Sequence, residues 1–102
     1  MHTRNLRPIG LLLLVEACRG AAPGEGGADQ VARSDSALTA RTWGLAYVQQ
    51  NQLPQAEAEF RKVVALVPDQ PLGYADLGLV YLRGGRYREA EAQFHRAAAL
   101  DS

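Results

Sequence analysis

The sequence predicts an all-α protein, and three observations carry that expectation. Shifting the chain by 34 residues pairs Leu38 with Leu72, Gly44 with Gly78, Tyr47 with Tyr81, Ala56 with Ala90 and Phe60 with Phe94. In all there are ten identities between residues 37–68 and 71–102, and a repeat of this period is a helix-turn-helix unit. Proline and glycine punctuate that region at Pro54, Pro68, Pro71 and Gly84-Gly85, where helices would start or stop. Seventeen alanines against seven aromatics suit packed helices better than a β-sandwich.

Taken in order, residues 1–17 stand apart from the rest. His2, Arg4 and Arg7 give a basic start, and Ile9 to Val15 is apolar throughout. That run is too short for a permanent membrane helix, which needs about 20 residues, but it suits the apolar stretch of a secretory signal. It ends in Val15-Glu16-Ala17-Cys18, which resembles the lipobox of bacterial lipoproteins. The resemblance implies cleavage between Ala17 and Cys18 and acylation of Cys18, the only cysteine in the chain. Residues 18–35 read as the lipidated Cys and a flexible linker, because they carry four glycines, Pro23 and charge without a hydrophobic period. Such a segment would span roughly 20–25 Å as a random coil.

Four helices follow. Ser34, Asp35 and Ser36 offer N-caps for a first helix over 36–50, and Asn51 can take the left-handed conformation that ends it. Pro54 suits the first turn of a second helix, which Pro68 closes. Asp69 is the expected cap of a third helix with Pro71 in its first turn, stopped by Gly84-Gly85 near Arg83. Residues 86–100 form the fourth.

The residues Tyr74-x-x-Leu77-Gly78-x-x-Tyr81 and Ala90-x-x-x-Phe94 resemble the tetratricopeptide repeat (TPR) signature. So do Trp43-Gly44-x-x-Tyr47, Ala56-x-x-x-Phe60 and Pro68, with Trp43 in the usual leucine slot. The resemblance implies a short α-solenoid of two units, repeat 1 over 36–70 and repeat 2 over 71–102. Gly44, Gly78, Ala56 and Ala90 would let paired helices approach closely, with Tyr47, Phe60, Tyr81 and Phe94 filling the space beside them.

The chemistry-bearing residues offer no catalytic constellation and no metal set, and no cofactor is expected. His95 has no Cys or carboxylate partners at metal-ligand spacing and reads as a surface residue. Glu57 and Arg61 form an expected i, i+4 surface pair, Glu59, Glu89 and Glu91 belong to solvated helix faces, and Gly84-Gly85 reads as a turn. The length excludes a multidomain enzyme. A net charge of zero gives no field to attract nucleic acid.

By the family resemblance, partners would bind the concave face lined by the first helix of each unit. Carried over position by position, that face holds Leu38, Arg41, Thr42, Leu45, Val48 and Gln49 from repeat 1. Repeat 2 contributes Leu72, Ala75, Asp76, Leu79, Leu82 and Arg83. Some family members grip a peptide carboxylate with a lysine and asparagine clamp, but Thr42, Leu45, Asp76 and Leu79 stand there in this chain. An amphipathic helix or extended apolar peptide is the better-fitting ligand. The fourth helix is expected to expose Ala90, Phe94, Ala97 and Ala98 where a capping helix normally sits. The array would then be completed by self-association, by a partner helix or by residues beyond Ser102.

The expected function is a membrane-anchored scaffold for protein–protein interaction in a bacterial cell-envelope assembly. With Arg19 after the acylated cysteine, the pattern resembles lipoproteins sent to the outer membrane, facing the periplasm, in a two-membrane bacterium. The alternatives are an N-terminal piece of a larger exported enzyme or binding protein, and a soluble cytosolic adaptor.

Overall fold

The computed structural model describes the backbone of residues 24–101 and the side chains of residues 27–101. The expected signal segment, its cleavage point, Cys18 and the start of the linker lie outside the described residues. Among the described residues there are four helices and no strand: α1 Gly24–Gln49, α2 Leu53–Leu66, α3 Pro71–Arg83 and α4 Tyr87–Leu100. The chain divides between Gln30 and Val31, and every contact described below lies on the Val31 side.

The repeat expresses itself most closely in its turns. Asn51 has φ 57° and Gly85, one repeat later, has φ 77°. Each lets the chain leave its helix with the same pair of bonds. Asn51 N–H donates to Val48 O at 3.0 Å and Gln52 N–H to Tyr47 O at 2.8 Å. In the second unit Gly85 N–H donates to Leu82 O at 3.1 Å and Arg86 N–H to Tyr81 O at 2.8 Å. The left-handed residue satisfies carbonyls that the helix end would otherwise leave open. Between the units, α2 stops before Pro68, and Tyr74 Oη returns from α3 to donate to Pro68 O at 3.0 Å. Asp69 does not cap α3; Gln70 holds that position, without a side-chain capping bond, and Pro71 opens the helix.

Glycine sets how closely the helices of each unit approach. A Cβ on Gly44 would lie 2.8 Å from Phe60 Cδ1, and one on Gly78 would lie 2.5 Å from Phe94 Cε1. Each aromatic ring therefore rests directly on helix backbone. Phe60, Ala56, Val48, Leu77, Val80, Tyr81 and Ala90 form the main buried cluster, drawn from all four helices. Leu45, Tyr47, Leu53 and Val64 pack against it from partly exposed positions. A second cluster joins Ala37 and Ala40 of α1 to Val63 and Val67.

The structure departs from the sequence expectation at the start of α1 and at Ala90. The first helix begins at Gly24 rather than near Ser36, so residues 24–35 of the expected flexible linker are helical. Side chains from 27 to 36 are exposed or half-exposed and show no buried face, which is why no hydrophobic period marks them. Ala28, Gln30, Ala32 and Arg33 are good helix formers, and extending a helix already nucleated by packing adds one hydrogen bond per residue fixed. Ser34, Asp35 and Ser36 are thus internal, and Asp35 O accepts a bond from Thr39 Oγ1 at 3.1 Å. The other correction is Ala90, which is buried beneath α4 rather than exposed on its outer face.

Candidate functional site

The first helices of the two units, α1 and α3, bring together part of the expected partner face. Leu38 and Arg41 of α1 meet Leu72 of α3 around a cleft of about 110 Å³, whose floor includes Val63, Val67 and Gly73. A Cβ on Gly73 would stand 3.0 Å from Val63 Cγ1 and Val64 Cγ2, so glycine there lets α3 settle onto α2 and closes the floor. Leu38, Leu72, Leu79 and Leu82 remain exposed, a cluster of large aliphatic side chains on α1 and α3.

Charge crosses the same face. Arg41 Nε donates to Asp76 Oδ2 at 2.7 Å, with Asp76 buried and Arg41 partly so. The pair ties the two units together, and it removes both groups from the pool of unpaired charges that a ligand could use. Thr42 Oγ1 donates to Leu38 O at 2.9 Å, so its hydroxyl is directed to its own helix. Gln49 and Arg83 are exposed at the C-terminal ends of α1 and α3, while Ala75 and Leu45 are half-buried. Val48 leaves the expected set altogether: it is 6% exposed and belongs to the core beside Phe60. Its slot in repeat 2 is Leu82, which is exposed; the same helical position is internal in one unit and open in the other.

A network that the sequence did not reveal lies around α2 and the α3–α4 turn. Glu57 accepts from Arg61 Nε at 3.1 Å, the expected i, i+4 pair, but also from Arg86 Nη1 at 2.7 Å. Arg61 Nη2 donates to Tyr81 Oη at 3.0 Å, and the Arg86 guanidinium stacks 4.4 Å from the Tyr81 ring centroid. Arg86 pairs with Glu89 as well. That hydrogen bond lowers the Glu89 carboxyl below its ordinary range and raises Arg86 above its own. The network covers a cavity of about 400 Å³ with Leu53, Val80 and Tyr81 in its wall. Its charged groups are satisfied by one another, so it reads as a clamp between repeats. The one available signal was that Arg86 occupies the turn slot of Gln52, directly after the left-handed residue.

His95 is exposed and lies 3.5 Å from Glu91, the same i, i+4 arrangement as Arg61 and Glu57. Among the described residues, no group of three or more His, Cys, Asp or Glu side chains could hold a metal ion. Among them, too, no helix is long and apolar enough to cross a membrane.

Two family models match the sequence that builds this geometry. The TPR repeat matches residues 44–85, and the tetratricopeptide repeat matches residues 71–102. The chain therefore carries tetratricopeptide repeats, an all-α fold that generally serves as a non-enzymatic scaffold binding proteins or peptides. No curated protein matches the chain.

Proposed function

We propose that this chain is a lipid-anchored interaction scaffold that presents the leucine-rich face of α1 and α3 to a protein partner in a bacterial cell envelope. The carrying observation is that Leu38 and Leu72 stay exposed on either side of one cleft, while the adjoining charges are already paired as Arg41–Asp76. An apolar surface whose neighbouring polar groups are satisfied favours an amphipathic helix or extended apolar segment over a charged peptide. The sequence Val15-Glu16-Ala17-Cys18 supports an anchor at Cys18, and Arg19 after it supports delivery to the periplasmic face of the outer membrane in a two-membrane cell. Stable attachment takes two or more acyl chains, each buried CH₂ contributing about 0.8 kcal/mol.

The intact mass of the full-length chain recovered from a bacterial host tests the anchor. Loss of residues 1–17 with the added mass of two or three acyl groups is the expected result. An unmodified chain retaining residues 1–17 would overturn the anchor and leave a soluble adaptor or a piece of a larger protein.

A further inference from the structure

The two ends of the repeat pair expose the two halves of the junction that the chain already makes once inside itself. Within the chain, α2 of repeat 1 receives α3 of repeat 2. The slots on either side of that junction recur 34 residues away, on the outer face of α1 and the outer face of α4, where Trp43, Tyr87, Phe94 and Ala98 are exposed and Tyr47 and Ala97 half-buried. Leu77 in α3 is 4% exposed, but Trp43 in the same slot of α1 is 56% exposed. Phe60 in α2 is 0% exposed, but Phe94 in the same slot of α4 is 39% exposed. Tyr87 and Ala98 of α4, the counterparts of Leu53 and Val64, are likewise exposed.

We infer that the outer face of α4 receives the outer face of α1 from a second copy of this chain, so that copies join head to tail. The complementarity extends to bulk. Inside the chain Val63 and Val64 close on Gly73, with Cγ atoms 3.0 Å from where its Cβ would stand. At the open ends the sizes are exchanged, with Ala97 and Ala98 on α4 and Thr39 on α1. The side chain that glycine lacks is supplied by threonine, and the volume of the valines is given up by the alanines. The exchange compensates in part, in the direction that packed interfaces require.

The polar pattern is repeated too. Internally, Glu57 holds Arg61, and Arg61 donates to Tyr81. On the open ends, Glu91 lies beside His95, and Tyr47 of α1 occupies the slot of Tyr81. Tyr47 and Trp43 form a tilted aromatic pair, with centroids 6.3 Å apart. Such a pair supplies rigid apolar area to a docking helix. Because the two faces differ, the contact is heterologous; it generates rings if it closes and open arrays if it does not. The inference depends neither on the lipid anchor nor on the leucine-lined cleft.

Two variants test it in the full chain carrying Cys18→Ser, so that no acyl group can drive association: Trp43→Glu, which alters only the α1 face, and Ala98→Glu, which alters only the α4 face. Both positions are exposed, so both variants should keep the wild-type helical circular dichroism. In sedimentation velocity, the wild type is expected to grow beyond a monomer as its concentration rises to tens of micromolar. Each variant alone should remain monomeric. An equimolar mixture should form a heterodimer and stop there, since one intact α4 face meets one intact α1 face and the remaining ends are blocked. A wild type that stays monomeric would overturn the inference, as it would if the faces were covered by another protein. Association of either variant alone, or a mixture that stays monomeric, would overturn it equally.

Discussion

Gly44 and Gly78 occupy the same slot and press on the same kind of ring, yet substituting them should not have equal effects. Phe60 is wholly buried and has nowhere to move, whereas Phe94 is partly open to solvent. Gly44→Ala should lower stability by about 1–3 kcal/mol, because overpacking outweighs the helix propensity gained. Gly78→Ala should be close to neutral as Phe94 swings outward. Urea unfolding of the two variants checks this, and equal losses would count against the packing described. Arg41 and Asp76 offer a second test at this scale. Arg41→Ala leaves a buried carboxylate without its cation and should cost about 1–3 kcal/mol. Adding Asp76→Leu should restore part of that loss, and a double-mutant cycle with coupling near zero would contradict the pairing. Their sequence spacing is one repeat plus one residue, which is why they read as separate groove charges: a partnership between units shows only when the repeats are stacked. Leu45 teaches a related lesson. It is a groove position by slot, but it packs against the core, so Leu38 and Leu72 are the better sites for surface substitution.

At the scale of the element, the turns were legible and so was the first helix from Ser36 onward, but not its start at Gly24. Asn51, Pro54, Pro68, Pro71 and Gly85 act through backbone geometry, which one sequence position can dictate. Residues 27–35 have no buried side chain, so hydrophobic period, the main sequence signal of a helix, is missing there although the helix persists. Ser36→Pro should end that extension, placing proline one residue before the slot of Pro71, and should leave the repeats folded. The expected result is a partial loss of helical circular dichroism, with the unfolding midpoint nearly unchanged. A collapse of cooperative unfolding would instead show that the extension supports the repeats. A charge pair, Arg86 and Glu89, spans the start of α4. Glu89 has its carboxyl pKa lowered mainly by the hydrogen bond from Arg86. Its contribution to stability is therefore present above the unfolded-state value of about 4.5 and is lost as pH falls through the lower folded value. Glu89→Gln should flatten this acid-side part of the stability profile, and an unchanged profile would contradict it. The effect is small because both groups face solvent.

For the molecule as a whole, the repeat period foretold two units and four helices, because self-similarity at that length has few physical solutions. It did not distinguish which slots are open, since that depends on what flanks each unit: Val48 is internal while Leu82, in the same slot, is not. The face left open by α1 and α3 is the basis of the proposed scaffold role. Its most direct test is a photoreactive side chain introduced at Leu72 in the cells that make the protein, with Arg88 on α4 as the comparison site. A discrete adduct with another protein is expected from position 72, lost when Leu38→Glu is added, with none of that mass from position 88. No adduct at 72, or the same adduct from both positions, would contradict it.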